Sequence, residues 1–159
     1  FGGYLGNYFL ILFFPRVWSY ELFEMYMPST LLNPDREVKY TTDHEFYDGR
    51  KSYVSETAGG YFACRIGVLE KLQNMKRQSA VLVLRFITDE YTTPLGVWVV
   101  RQSTRKALET SREFASEQEM MLFVKDFILT RFNFDVSHII KKSKVLEQIQ
   151  TQRTIQDFF

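Results

Sequence analysis

Glu56 to Ile87, ETAGGYFACRIGVLEKLQNMKRQSAVLVLRFI, is the stretch around which the chain is organised. Its first part predicts a helix, because Phe62, Ile66, Leu69 and Leu72 recur at three- and four-residue steps and line one face. Its second part, Ala80 to Ile87, is a short apolar, β-branched run of the length expected for a strand buried on both faces, with Arg85 as its one charge. Gly59 and Gly60 fall at the start of the helix, where missing side chains let another backbone or a phosphate approach bare N–H groups. A helix feeding directly into a buried strand makes a core that the flanking segments can cover.

Working outward, 159 residues with 45% apolar and 16% aromatic content suffice for one globular domain with a sizeable core and exclude a disordered chain. Twenty basic and 19 acidic side chains leave a net charge of +1, so any basic site must be local. The lone cysteine, Cys64, excludes a disulfide framework and a cysteine-cluster metal site within this segment, and suits a reducing interior. The opening Phe1-Gly-Gly-Tyr-Leu-Gly reads as neither a native start nor a signal peptide, and so as part of a longer protein. Tyr8 to Phe14 is apolar but too short to span a bilayer, and predicts a buried strand stopped by Pro15.

In the next segment, Glu21 and Glu24 stand three residues apart, a spacing that puts them on one helical face as a solvated pair or, less simply, as metal ligands. Trp18 beside Arg16 offers a ring for a nucleobase, although so apolar a neighbourhood favours the core. Pro28 to Ser55 is polar, with turn signals at Pro34-Asp35 and Asp48-Gly49. Within it, Asp43 to Lys51 packs Asp43, His44, Glu45 and Asp48 beside Arg50 and Lys51. Such carboxylates, with Glu56, are candidate ligands for magnesium or manganese, and the two cations are candidate phosphate contacts; a solvated loop is the simpler reading.

Beyond the central strand, Leu95 to Val100 predicts a second buried strand beside it. Arg101, Arg105 and Lys106 then open a helix, and with Arg65, Lys76, Arg77 and Arg85 they would form a phosphate-facing patch if they converge. Ser116-Glu-Gln-Glu119 is a capping box that opens a packing helix to Phe132. Val136 to Ile149 continues as a helix carrying Lys141, Lys142 and Lys144. The last eight residues, Gln152-Arg-Thr-Ile155-Gln-Asp-Phe158-Phe159, fit the Gln-x-x-aliphatic-x-x-aromatic-aromatic pattern of the PCNA-interacting peptide. One tight helical turn puts Ile155, Phe158 and Phe159 on one side as an apolar plug, with Gln152 left to hydrogen-bond beside it.

Together with Pro15-Arg-Val-Trp-Ser-Tyr-Glu21, Glu56 to Arg65, Lys76-Arg-Gln78, Pro94-Leu-Gly-Val-Trp-Val-Val-Arg101 and Lys142-Ser143, that tail makes the chain resemble the C-terminal portion of the archaeal Nre family of DNA repair proteins. The resemblance implies repair of damaged DNA, recruitment by the sliding clamp PCNA, and a cytoplasmic, nucleoid-associated location. It also implies an upstream half with a four-cysteine, zinc-ribbon-like element, so zinc is expected outside this segment. It transfers no catalytic residues. The expected architecture is an α+β (mixed α/β) domain over residues 1–149, a small sheet of at least three strands covered by helices, followed by a clamp-binding tail at 150–159. Two functions follow: a repair factor tethered to the clamp and contacting DNA through Arg50, Lys51, Arg65, Arg77, Arg85, Arg101 and Arg105; or a metal-dependent enzyme acting on DNA, with Asp43, Glu45, Asp48 and Glu56 as ligands. Neither reading involves a membrane.

Overall fold

The strand Ala80–Ile87 lies at the centre of a five-stranded mixed sheet, with every one of its residues buried. A computed structural model describes residues 1–152. Its strands are β1 (Gly2–Tyr4), β2 (Asn7–Phe14), β3 (Ser19–Tyr26), β4 (Lys39–Glu45) and β5 (Ala80–Ile87), in spatial order β1-β2-β5-β3-β4. β5 runs antiparallel to β2 and parallel to β3, and every other pairing is antiparallel. β1 and β2 form a hairpin whose two turn residues, Leu5 and Gly6, are both left-handed, the twist that suits a two-residue connection. The helix α1 (Tyr61–Met75) makes the crossover into β5, and α2 (Val97–Ala107) packs on α1, β1 and β2.

One face of this sheet, with Phe9, Tyr20, Leu22, Val81, Val83 and Ile87, forms a continuous core with Tyr61, Cys64, Val68 and Leu72 of α1 and Val99, Val100 and Ala107 of α2. The helical reading of Tyr61–Met75 therefore holds, but its buried stripe is rotated from the expected one. Ile66 is 45% exposed, Phe62 and Leu69 are only partly buried, and of the anticipated set Leu72 alone is fully packed.

Two expectations are corrected. Leu95 to Val100 is not a strand beside β5, because both edges of β5 are already taken by β2 and β3. Instead the apolar run enters α2, where burial at Val99, Val100, Ser103, Thr104 and Ala107 follows a helical period. Arg101, Arg105 and Lys106 accordingly sit in the body and last turn of that helix rather than at its start. Glu21 and Glu24 do not share a helical face: they lie on β3, where three-residue spacing sends side chains to opposite faces, and both are buried.

The chain divides into two compact units, Phe1–Ser111 and Arg112–Phe159. The second contains α3 (Glu117–Phe132), α4 (Ser137–Ile140) and α5 (Lys144–Thr151), so the single helix expected over Val136 to Ile149 is instead two, broken at residues 141–143 where Ser143 caps a new start. α3 starts as its capping box predicts, with Ser116 Oγ accepting the Glu119 N–H at 3.1 Å; the Glu119 carboxylate caps the N–H of Ala115, one residue upstream of the cap. Ser143 plays the same part for α5 through the Leu146 N–H. Among the described residues, no helix is long and apolar enough to cross a membrane.

Candidate functional site

Strand alternation decides which polar residues of the first unit meet. Asp43 and Glu45, two apart on the edge strand β4, pair with Leu22 and Tyr20 of β3 and therefore project to the α1 side of the sheet. Residues 46–60 then return over them. Asp43 Oδ2 accepts the Glu56 N–H at 2.9 Å, the Thr57 N–H at 2.9 Å and the Thr57 hydroxyl at 3.0 Å, while Arg50 stands 3.4 Å from Oδ1. Burial pushes the Asp43 carboxyl up, but these donors outweigh it and hold the group below the ordinary carboxylate value. Asp43 thus pins the entrance of α1 to the edge of the sheet.

Glu45 is engaged as fully. Its Oε1 accepts Trp18 Nε1–H at 3.0 Å and Arg65 Nε–H at 2.8 Å, and its Oε2 accepts the Tyr61 hydroxyl at 3.3 Å. The Arg65 guanidinium also lies 5.5 Å from the centre of the Trp18 ring. Burial, reinforced by the nearby Glu45 charge, raises the Tyr61 phenol well above its usual value. Asp48 and Glu56, the other two candidate ligands, have exposed side chains on the connecting segment. Glu56 contributes its backbone N–H to Asp43 rather than a carboxylate to a shared site. Among the described residues, no three His, Cys, Asp or Glu side chains gather into a metal-holding group.

A second polar centre lies deeper. Arg85, facing α1 from the middle of β5, donates to Glu24 Oε1 at 2.5 Å and to Asn7 Oδ1, and all three residues are at most 6% exposed. Glu24 Oε2 also receives the Tyr26 hydroxyl at 3.3 Å, and Asn7 returns a hydrogen bond to Leu5 O at 3.0 Å. Gly60, the residue that opens α1, lies directly on this pair: a Cβ there would stand 1.8 Å from Glu24 Oε1 and 3.0 Å from Arg85 Nη1. The group that approaches the glycine is therefore the protein's own buried carboxylate.

The candidate phosphate contacts are dispersed by these commitments. Arg85 is in the core. Arg50 donates to the carbonyls of His44 and Ser52 and sits over the Tyr61 ring. Arg105 makes a two-pronged pair with Glu70 at 2.6 and 2.8 Å. Arg101 is half-buried on α2, while Lys51 and Arg77 are exposed.

Arg77 lines an open cleft of about 570 Å³ at the C-terminal end of α1, with Trp18, Leu69, Leu72, Gln73, Lys76 and Gln78. The sequence pointed separately at Trp18 and at Lys76-Arg77, but nothing in it placed them in one cleft. The Glu24–Arg85–Asn7 centre was missed as well; its only signal was a single charge in an otherwise apolar strand. At the far end of the chain, Gln152 is exposed just beyond α5, and Ile155, Phe158 and Phe159 lie outside the described residues.

These features define an α+β domain with a buried polar centre and a basic, tryptophan-lined cleft. Residues 45–158 match the family model described as "Archaeal Nre, C-terminal", and the chain belongs to that family. It is 45% identical over 108 residues to a DNA repair protein NreA of Haloferax volcanii, a match covering 67% of this chain and 26% of that relative. With DNA repair protein NreB of Archaeoglobus fulgidus it shares 33% identity over 153 residues, 96% of this chain and 38% of the relative. A DNA repair protein NreA of the same organism is 36% identical over 110 residues, 69% of this chain and 28% of that protein. The chain thus spans about a quarter to two-fifths of the length of these relatives. No solved structure matches it.

Proposed function

We propose that this chain is part of a DNA repair factor that the sliding clamp PCNA recruits to DNA through residues 152–159. The repair role is supported by the names of its relatives, all DNA repair proteins. The clamp role is carried by one observation, the pattern Gln152, Ile155, Phe158, Phe159 in the final eight residues. Its placement suits docking: α5 closes at Thr151, and Gln152 follows with an extended backbone and an exposed side chain. Burying Ile155, Phe158 and Phe159 in a clamp groove contributes roughly 1.5–3 kcal/mol for each side chain before the cost of ordering the tail, which leaves affinity in about the micromolar range.

The test is titration calorimetry of the chain against PCNA. Phe158→Ala/Phe159→Ala should abolish clamp binding and leave the melting temperature unchanged. A double variant that binds at parental strength, or that unfolds the domain because the rings stabilise its own core, would refute the reading.

A further inference from the structure

The cleft at the end of α1 has an organisation that structural packing does not require. The indole of Trp18 lines it and is held on several sides. It stacks on Tyr20 with ring centres 6.0 Å apart and planes 3° from parallel, donates Nε1–H to Glu45, and lies under the Arg65 guanidinium. Such a ring is fixed in place, and its partly exposed remainder lines the cleft.

Lys76, which also lines the cleft, has a φ of 52°, a left-handed conformation that usually falls to glycine at a helix end. The terminal carbonyls there are already satisfied, because Lys76 N–H donates to Gln73 O at 3.1 Å and Arg77 N–H to Leu72 O at 3.2 Å. The Lys76 and Arg77 side chains are thus not needed to cap the helix. Both are exposed, and among the described residues neither takes part in an ion pair. By contrast, the cleft of about 660 Å³ beside Tyr26 and Tyr40 has a single cation, Lys39, which is paired with Asp35.

The exposed part of a fixed indole, two cations that make no ion pair among the described residues, and the Gln73 and Gln78 amides line one cleft, a combination that matches the chemistry of one unpaired nucleotide: an aromatic surface for a base and positive charge for a phosphate. The volume lies within the range of ligand pockets, roughly 300–1,000 Å³. We propose that this cleft binds single-stranded DNA, with a base against Trp18 and the adjoining phosphates on Lys76 and Arg77. The inference rests on the DNA-repair reading above and narrows it to unpaired strands.

Trp18 and Trp98 are the two tryptophans, so in a Trp98→Phe background Trp18 fluorescence reports the cleft directly. Titration with an eight-nucleotide oligo(dT) should quench it saturably, whereas inorganic phosphate or polyglutamate at equal charge should not. Lys76→Asn/Arg77→Gln, which keeps a residue tolerant of the left-handed conformation, should raise the Kd about tenfold. It should also lower the salt slope by about 1.4, at roughly 0.7 for each phosphate of a single strand that is no longer neutralised. Absence of quenching, equal quenching by phosphate or polyglutamate, or parental affinity and slope in the double variant overturns the proposal. PCNA affinity measured on the same preparations separates the two readings. Clamp binding without oligo(dT) quenching refutes the cleft alone, and quenching without clamp binding refutes recruitment alone.

Discussion

Glu24 and Arg85 make a buried ion pair whose removal has a distinctive energetic signature. Among the described residues, Arg85→Met leaves Glu24 buried with the Tyr26 hydroxyl as its remaining side-chain donor, and Glu24→Leu leaves the guanidinium with Asn7 as its remaining side-chain acceptor. Each single change should destabilise the first unit by about 3–5 kcal/mol, because an uncompensated charge stays at a site at most 6% exposed. The double variant removes both charges and fills the space with apolar side chains, so its cost should be far less than the sum. A coupling of about 2 kcal/mol or more is expected for groups in direct contact. Urea denaturation followed by tryptophan fluorescence measures it on the relevant unit, since Trp18 and Trp98 both lie in Phe1–Ser111. Single variants that cost under about 1 kcal/mol, or a double variant whose cost equals their sum, would show that the pair is solvated in solution and would refute the reasoning.

Gly60→Ala should destabilise the same unit even though alanine is the better helix former, because the new Cβ must displace a carboxylate held by Arg85; a rise in the urea midpoint would contradict the packing at the start of α1. Asp43 has a folded-state pKa below its ordinary value, so its contribution is fully present above about pH 4 and is lost as the pH falls through the lowered value. Asp43→Asn should therefore destabilise at neutral pH and flatten the stability loss between about pH 5 and pH 2 by comparison with the parent, and an unchanged pH slope would contradict this. Lys76→Gly relieves a left-handed lysine and should raise stability by about 1 kcal/mol while weakening oligo(dT) binding; denaturation and fluorescence titration on one sample check both directions.

What the sequence determined by itself was local. Ala80–Ile87 is legible as a buried strand because an apolar, β-branched run of that length suits a strand covered on both faces, and the apolar run Tyr8–Phe14 is legible as a strand too, although Tyr8, Ile11 and Phe13 are only half-buried. The start of α3 is legible because a capping box is a contact among near neighbours. The short run Leu95–Val100 carried no period long enough to separate strand from helix, and the decision came from β2 and β3 occupying both edges of β5. Likewise Glu21 and Glu24 changed from a shared helical face to opposite faces of a strand once β3 took its place between β5 and β4. The polar centres were decided by tertiary structure alone: Asn7 meets Arg85 across 78 residues and Glu24 meets it across 61, and strand register, not sequence spacing, puts them on one face. The cleft has the same origin. Trp18 precedes β3 and Lys76-Arg77 follow α1, and their separation along the chain carries no information about the crossover that brings them to one cleft.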